Sequence, residues 1–367
     1  MAIKYWYKAA NGSDNWSVAA NWYLGSGGTG GVTTVPGNTD DVILDANSGN
    51  GTITLAAAAS CRSLVATTFT GTLTGASSLT VAGSNGGSQG SGKTIELGTG
   101  MTYSLSGGLS LAAVTSSGSI NFNGKSHSTG LTTINAAAAI WTLAGNLSTT
   151  GQINFVAGSL TTNGNPITCS TFSISGAGVR TLNLGSSLIN LTGSGTPWSF
   201  VTGATNVTFN AGTSTIRYSN TSSASCTFLG NSKTYYNFEV ARGASTGTVV
   251  FQSLSGGNSG SNTFFNFIDN TGTAAHSITF VAGSPQTFEN FNVKGASALA
   301  RITFIGGLTS LAKIGAGAVI CDYLDIGIDV TSVTPTNTWY AGYNSIGQGS
   351  GWVFRNLPGL LLMGVGG

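Results

Sequence analysis

Residues 119–122 read Ser-Ile-Asn-Phe, residues 181–184 read Thr-Leu-Asn-Leu, and residues 52–55 read Thr-Ile-Thr-Leu. In each stretch an apolar side chain alternates with a hydroxyl or an amide, and Gly or Asn flanks the stretch. Alternation with a period of two is the pattern of a β-strand with one buried face. No window carries the apolar i, i+3, i+4, i+7 stripe of an amphipathic helix, so we predict an all-β chain.

Strand-sized segments of this kind recur between positions 52 and 330, at the spacing of roughly 8–12 residues that is typical of all-β folds. A weak repeat is also visible, since Asn-Phe-Val-Ala-Gly-Ser at 154–159 is similar to the sequences at 208–213 and 279–284. The offsets between these copies would suit coils of about 18 to 24 residues each. The spacing fits either a β-sandwich or a solenoid.

Composition favours the solenoid. The 367 residues include 56 Gly and 96 Ser or Thr, but only 13 Lys or Arg and 11 Asp or Glu, for a net charge of +2. Sandwiches use charged side chains on their edge strands to prevent unwanted pairing, whereas stacked coils pair their strand edges with each other. Gly and Asn also supply the left-handed backbone that coil corners need. We therefore predict a parallel β-solenoid (β-helix), with tandem β-sandwich domains as the alternative.

The two ends of the sequence differ from the middle. Residues 1–48 hold three of the seven Trp residues and are predicted to form an N-terminal cap or anchor, because a solenoid must cover its first coil. Residues 49–330 are predicted to form the solenoid body, and residues 331–367 a second aromatic-rich cap with an apolar tail. A free apolar tail would be an aggregation liability. We expect this tail to dock onto another surface, such as another subunit.

Several classes of partner are excluded by the sequence. Basic residues are scattered singly, so a nucleic-acid partner, which needs a basic surface to neutralise phosphates, is not expected. The longest purely apolar runs, such as Ala56–Ala59 and Leu360–Met363, are too short to span a membrane. The first eight residues lack the apolar core of a secretory signal peptide, so we expect no export by that route.

No metal or cofactor is predicted. His127 and His276 have no His, Cys or Asp at ligand spacing. Residues 87–94 match the letters of a phosphate-binding loop but lack the strand and helix on either side that such a loop needs. The cysteines are far apart in the sequence, without any Cys-x-x-Cys pair, and are predicted to be buried thiols without disulfides; they are Cys61, Cys169, Cys226 and Cys321.

Catalytic residues are not predicted either. Enzymes that cleave glycans on β-helices use two carboxylates about 5 to 9.5 Å apart. Asp40 and Asp41 are adjacent and would point to opposite faces of a strand. Asp325 and Asp329 would lie on one face of a strand and Asp322 on the opposite face. We interpret all of these residues as corner or cap carboxylates. Glu96, Glu239 and Glu289 are isolated in sequence.

The C-terminal aromatic cluster is the one candidate binding site. Trp339, Tyr340, Tyr343 and Trp352 lie in a Gly-rich segment. Exposed aromatic rings could stack against sugar rings, which would make these four residues glycan contacts. Buried rings would instead form the core of the cap, and the sequence leaves both interpretations open.

Both ends carry a family resemblance. The stretch 15–22, Asn-Trp-Ser-Val-Ala-Ala-Asn-Trp, followed by Val35-Pro36-Gly37 and Asp40–Asp45, resembles the start of Gly/Thr-rich β-solenoid proteins encoded by tailed bacteriophages and some bacteria. The stretches Asn337–Ser345 and Gly351–Phe354 are similar to their close, and Gly158–Gly164 and Arg180–Gly185 to their coil repeats. The likeness covers most of the chain through loose, compositional motifs.

The resemblance implies a non-enzymatic structural protein on the surface of a phage particle, as a head decoration, fibre or spike subunit assembled in the host cytoplasm. Its implied partners are other virion proteins, further copies of the same chain (a trimer favoured) and a host surface glycan. The first alternative is a glycan-binding receptor module or a bacterial surface adhesin. The second is a glycan-degrading tailspike.

Overall fold

The computed structural model describes residues 2–85, 92–112, 117–128, 130–201, 206–252, 260–280, 282–305, 309–327 and 331–354. These residues form strands, turns and short 3-10 helices, and no α-helix occurs among them. The all-β prediction is therefore confirmed. The chain divides into two compact units, unit 1 (Met1–Arg217) and unit 2 (Tyr218–Gly367). This boundary falls within the predicted body, and the division into 1–48, 49–330 and 331–367 stays a prediction.

The strands of unit 1 are short, apart from β16 and β18. In chain order they are β1 (Ile3–Trp6), β2 (Asp14–Asn15), β3 (Trp22–Gly25), β4 (Thr29–Val32), β5 (Asp41–Ile43), β6 (Thr52–Thr54), β7 (Ala59–Cys61), β8 (Ser63–Ala66), β9 (Thr72–Gly75), β10 (Leu79–Val81), β11 (Lys93–Leu97), β12 (Thr102–Leu105), β13 (Leu109–Leu111), β14 (Gly118–Asn121), β15 (Ser126–His127), β16 (Thr132–Leu143), β17 (Leu147–Thr149), β18 (Gln152–Thr161), β19 (Ile167–Cys169), β20 (Thr171–Ile174), β21 (Arg180–Asn183), β22 (Leu188–Leu191), β23 (Gly195–Phe200) and β24 (Val207–Asn210). The 3-10 helices are Ala9–Asn11, Ala19–Asn21, Ser26–Gly28 and Ala46–Ser48.

β25 (Thr215–Tyr218) carries the boundary between the units. The strands of unit 2 are β26 (Cys226–Leu229), β27 (Thr234–Val240), β28 (Val249–Phe251), β29 (Thr263–Asp269), β30 (His276–Phe280), β31 (Gln286–Lys294), β32 (Ile302–Ile305), β33 (Thr309–Lys313), β34 (Val319–Asp322), β35 (Leu324–Ile326), β36 (Thr331–Thr334), β37 (Trp339–Tyr340), β38 (Ile346–Gly347) and β39 (Trp352–Val353). No helix among the described residues has the length and apolar character needed to cross a bilayer.

Unit 1 is built from columns of parallel strands. Column A runs β5–β8–β11–β14–β16–β18–β21–β24, and column B runs β7–β10–β13–β16–β18–β20–β23. β16 and β18 belong to both columns, and the register shift at Asn135 marks where they pass from one to the other. Two further parallel rows are β2–β6–β9–β12 and β15–β17–β19–β22.

The core of column B is a single in-register ladder of buried side chains. Each member pairs with the next one along the chain, at a separation of roughly 20–30 residues that falls on the scale of solenoid coils. Its members are Cys61, Val81, Leu111, Ile134, Phe155, Ile174 and Phe200. Because side chains alternate between the faces of a strand, the neighbouring ladder points outward and carries only hydroxyls and amides, as the sequence pattern predicts. It begins with Ser60, Thr80, Ser110, Thr133 and Asn154.

The weak sequence repeat that begins with Asn-Phe-Val-Ala-Gly-Ser at 154–159 is not a structural repeat. Phe155, from its first copy, lies in column B, where it pairs with Ile134 and Ile174. Phe209, at the matching place in the second copy, lies in column A and pairs with Leu182. The first two copies therefore lie in different columns and are not equivalent coil positions. In a chain so rich in Gly, Ser and Thr, short similar stretches arise without structural equivalence.

The aromatic N-terminal segment forms an antiparallel ribbon beside the first parallel strands. β1 pairs parallel with β5 and antiparallel with β3, which in turn pairs antiparallel with β4. Trp6, Trp16 and Trp22 are all buried, and the Trp22 ring lies edge-on to the other two at centroid distances of 5.2 and 4.8 Å. The Lys4 ammonium is buried with them and lies 2.9 Å from the Asp40 carboxylate.

Unit 2 repeats the parallel arrangement with a more aromatic core. Column D runs β26–β28–β30–β32–β35–β38, and column E runs β27–β29–β31 and continues through β33–β36, with β34 pairing the second half of β31. β37 pairs with β39. The buried ladder of column D is Cys226, Val249, Ile278, Phe304 and Ile326.

Column E carries the clearest sequence repeat in the chain. It is the four-residue motif aromatic-x-Asn-Phe, in which x is any residue. The first and fourth residues point inward and the middle two outward, so the motif forms a corner of the strand. Its copies are 235–238, 264–267 and 288–291. In-register pairing places like rings over each other, and Phe267 stacks on Phe238 at 5.5 Å and on Phe291 at 5.3 Å.

The Asn of each copy forms an outward amide ladder. The Asn266 side chain donates to Asn237 Oδ1 at 2.6 Å, and Asn290 donates to Asn266 Oδ1 at 2.9 Å. The ladder continues because the Asn290 side-chain carbonyl accepts from the backbone N–H of Ala318 at 2.8 Å. This amide ladder links successive strands of column E on their outward face.

The four cysteines are buried and form no disulfide, which confirms the prediction for them. Burial raises the pKa of the Cys61, Cys169 and Cys321 thiols far above the ordinary value. Such thiols stay protonated and unreactive and act as small apolar side chains.

Candidate functional site

The structure separates the four residues of the predicted aromatic site into two pairs. Trp339 and Trp352 are buried and lie edge-on to each other at 5.3 Å. Trp339 also packs on Phe291 at 5.3 Å, and Trp352 on Phe304 at 6.0 Å. Neither indole can stack on a sugar while it lies in this core.

The two tyrosines face outward. Tyr340 is 43% exposed and Tyr343 is 51% exposed. Together with Ile320, which is 54% exposed, they surround an open pocket of about 340 Å³ whose polar wall is Asp322. Tyr340 also borders a second pocket of about 400 Å³, which reaches Lys313. We call these two adjoining pockets the tyrosine cleft.

The turn that carries Tyr343 is held by the Asp322 carboxylate. Asp322 Oδ1 accepts from the backbone N–H of Asn344 at 2.9 Å, and Oδ2 accepts from its side-chain amide at 3.0 Å. Ser345 Oγ accepts from the backbone N–H of Leu324 at 2.9 Å. Gly342 lies against the backbone of Cys321 with φ near +88°, where no side chain would fit. The exposed rings therefore stand on a fixed support.

The other predicted carboxylates bind donors of the chain itself. Burial opposes the charge of Asp40, but the Lys4 ammonium and the Gly37 N–H hold its pKa below the ordinary value. Asp41 is buried and accepts from Arg62 Nε at 2.8 Å and from Ser63 Oγ at 2.7 Å.

Asp45, Glu96 and Glu289 also accept hydrogen bonds from the chain itself. Asp45 caps the 3-10 helix Ala46–Ser48, Glu96 accepts from the Asn121 amide at 3.0 Å, and Glu289 accepts from the Gly317 N–H at 3.0 Å. Asp325 lies between Thr303 and Ile346 in column D, and Asp329 lies outside the described residues. Within the described ranges, no three His, Cys, Asp or Glu side chains come together as a metal site.

Residues 87–91 of the segment that matches a phosphate loop lie outside the described residues. Lys93 and Thr94, the last two residues of the match, are the first two residues of strand β11. A phosphate loop requires a helix there, because the helix N-terminus supplies the N–H groups that hold the phosphate. Because a strand stands where the helix would have to begin, residues 87–94 do not form a phosphate-binding loop of this type.

A buried ionic cluster in unit 2 was not foreseen from the sequence. His276 Nε2 lies 2.8 Å from Asp269 Oδ2, and both side chains are buried. His276 Nδ1 lies 3.2 Å from the Ala274 carbonyl oxygen, which can only accept. Nδ1 therefore carries a proton, and a second proton lies between Nε2 and the carboxylate.

Arg242 lies in the same cluster, and its guanidinium is enclosed by backbone carbonyls. Nε donates to Asn220 O at 3.0 Å and Nη1 to Gly247 O at 2.7 Å. Nη2 donates to Ser222 O at 2.9 Å and to Ala224 O at 2.6 Å. One side chain thus holds the loop before β26 to the turn before β28, and its role is structural.

The Asp269–His276 pair predicts a pH-dependent stability of unit 2. Burial disfavours the charged imidazole, but the hydrogen bond and negative charge of Asp269 raise the pKa of His276 above its ordinary value, against the repulsion of Arg242. The folded state therefore binds a proton more tightly than the unfolded state does. This contribution is complete below about pH 6.5 and is lost as the pH rises through the folded pKa.

We expect the urea concentration at the midpoint of wild-type unfolding to be lower at pH 9 than at pH 7. In His276→Gln the decrease between these two pH values should be smaller. The control is His127→Gln, because burial lowers the pKa of His127 and places its titration below about pH 6.5. Above pH 7 the urea midpoint of His127→Gln should change with pH as steeply as that of the wild type. Identical slopes in His276→Gln and the wild type would contradict the prediction.

No protein-family model matches the chain, and no curated protein and no solved structure is significantly similar to it.

Proposed function

We propose that the chain is a non-enzymatic structural protein with a parallel β-solenoid fold, exposed on the surface of a tailed-bacteriophage particle as a head decoration, fibre or spike subunit. The observation that supports this most is the column architecture. Strands return to the same column at intervals of roughly 20–30 residues, as the coils of a solenoid do. Successive strands therefore pair with each other, and strand edges need no charged protection.

Caps at both ends are part of the proposal. The antiparallel ribbon of β1, β3 and β4 and its buried tryptophans differ from the parallel columns. At the other end, Trp339 and Trp352 lie against Phe291 and Phe304. Terminal units of repeat architectures are atypical because one face has no neighbouring repeat, and buried tryptophans would supply that cover.

The mechanism in this proposal is passive. The outward ladders carry hydroxyls and amides, which bond to the next strand or to water without depending on charge. The N-terminal segment holds the Lys4–Asp40 and Lys8–Asp14 ion pairs, and the hydrogen bond from Lys8 lowers the pKa of Asp14 to about 2. Two further pairs of the described residues, Arg62–Asp41 and His276–Asp269, are largely buried. A surface of this kind changes little with ionic strength, which suits a particle that persists outside a cell.

The glycan-degrading alternative finds less support. Such an enzyme needs two carboxylates free to act on a glycosidic bond. Asp40, Asp41, Asp269 and Asp322 instead bind donors of the chain. The adhesin alternative differs from the virion proposal in location, and a gene position among capsid or tail genes would favour the virion.

The virion location rests on the resemblance of the two ends to phage β-solenoid proteins, and the partners follow from it. They are other virion proteins and further copies of the chain, with a trimer favoured. Residues 355–367, which include the apolar tail, lie outside the described residues and add nothing to this point.

Mass spectrometry of gradient-purified particles tests the proposal. We expect peptides of this chain to co-purify with the known capsid or tail proteins and to survive a high-salt wash. A particle fraction in which those proteins are detected and this chain is not would contradict it. Recovery of the chain only in the soluble lysate or on the bacterial surface would support the adhesin alternative instead.

A further inference from the structure

We propose that the tyrosine cleft of unit 2 binds a neutral glycan by stacking pyranose rings on Tyr340 and Tyr343. Pyranose rings have an apolar C–H face and a rim of hydroxyls, and a tyrosine offers an aromatic face with a polar tip. The inference concerns the chemistry of this cleft and does not depend on where the chain is located.

The cleft combines apolar exposure with a fixed geometry. Tyr340, Tyr343 and Ile320 are each about half exposed, and all three line the same pocket. Tyr340 follows the buried Trp339 and pairs with Val353. Because these rings are held out from the core on a supported turn, a ligand would find them already in place, which lowers the entropic cost of binding.

Size and shape argue for a small ring-shaped ligand. The two pockets measure about 340 and 400 Å³, at the lower end of the range for small-molecule sites. They adjoin at Tyr340, so the two faces of the cleft could hold neighbouring residues of one oligosaccharide. A stable protein interface buries on the order of 1,000 Å² or more, whereas the cleft offers two small concave surfaces.

Charge argues for a neutral ligand. The cleft has one cationic and one anionic side chain, Lys313 and Asp322, and each already has a partner. Lys313 Nζ donates to the Gly315 carbonyl at 2.8 Å, and Asp322 accepts from Asn344. An acidic polysaccharide or a nucleic acid would need several cations to offset its own charge, whereas the described lining holds one cation, Lys313, and one anion, Asp322.

The test uses the full chain on an array of immobilised hexasaccharides. The neutral probes are maltohexaose, cellohexaose, mannohexaose and chitohexaose, and the acidic probe is hexagalacturonic acid. We expect retention of the wild type on at least one neutral probe. The double variant Tyr340→Ala/Tyr343→Ala should bind that probe at least about tenfold more weakly, as truncation of a central aromatic contact commonly does.

Two controls separate stacking from folding. Tyr340→Phe/Tyr343→Phe keeps the rings and should stay within about fivefold of the wild type. Leu299→Ser changes a side chain that is 94% exposed and does not line the cleft, and it should bind like the wild type. Near-ultraviolet circular dichroism of the buried tryptophans reports whether each variant is folded.

Three results would overturn the proposal. They are no retention of any neutral probe, retention that the Ala substitutions leave unchanged in a folded variant, and retention of the acidic probe alone. Each concerns the cleft itself. The virion proposal is tested separately by particle composition, so the two can fail independently.

Discussion

Phe267→Ala should lower the stability of unit 2 by about 3–5 kcal/mol, as removal of a buried phenyl commonly does. Phe267 is fully buried, stacks on Phe238 and Phe291, and lies edge-on to Phe264 and Phe288. The cavity would open in the middle of the ring column, where paired strands on both sides prevent collapse. For a unit of this size the loss corresponds to a fall in the thermal midpoint of roughly 6–20 °C.

Phe265→Ala is the matched control, since it removes the same atoms from the same strand. Phe265 is 41% exposed and stacks on Tyr236 at 4.6 Å, outside the core. We expect it to cost about 1 kcal/mol or less. Differential scanning calorimetry of the three proteins gives the comparison. Equal losses in Phe265→Ala and Phe267→Ala would show that the inward and outward faces of β29 are not as described.

Arg242→Met is expected to cost unit 2 about 3–5 kcal/mol, the range for breaking a buried charged network by removing one partner. Four carbonyl oxygens, of Asn220, Ser222, Ala224 and Gly247, lose the guanidinium as a donor at once, and Ser222 O keeps the hydroxyl of Ser245. A buried carbonyl without a donor costs about 1–3 kcal/mol. Methionine has a comparable length but no N–H group, so it fills the space without replacing a single hydrogen bond.

Two variants calibrate this result in urea unfolding. Lys294→Met also replaces a cation by methionine, but Lys294 is exposed, and we expect a change within about 0.5 kcal/mol. Arg242→Lys keeps the charge but has a single ammonium in place of the planar guanidinium, so it should recover only part of the loss. A Lys variant as stable as the wild type would show that charge, and not the four-carbonyl geometry, accounts for the effect.

The fold class was predictable because strand alternation is a local property of the sequence. Ser-Ile-Asn-Phe at 119–122 becomes strand β14 with Ile120 inside, and the scarcity of charge agrees with strands that pair on both edges. The register was not predictable from the Val-Ala-Gly-Ser motif. The aromatic-x-Asn-Phe motif was the better indicator of register. In parallel pairing it places each inward ring on the ring of the next strand and each outward amide beside the next amide.

The candidate site was half predictable. Composition pointed to the four aromatic residues, but adjacent residues on a strand face opposite sides, so Trp339 is buried where Tyr340 is exposed. The Asp269–His276–Arg242 cluster escaped prediction for a different reason. Asp269 ends β29 and His276 begins β30, so one short loop joins this pair, whereas Arg242 follows β27 and reaches the pair through the β27–β29 pairing. No spacing rule in the sequence identifies the three residues as a cluster.

Immunogold electron microscopy is the decisive measurement for the proposal that this chain is a structural component of a phage surface. Antibody raised against the chain would be applied to intact particles of the phage that encodes it. Regular labelling over the head would identify a decoration protein, and labelling confined to the tail a fibre or spike; either is the predicted result. Particles that stay unlabelled while antibody to a known coat protein labels them would contradict the claim.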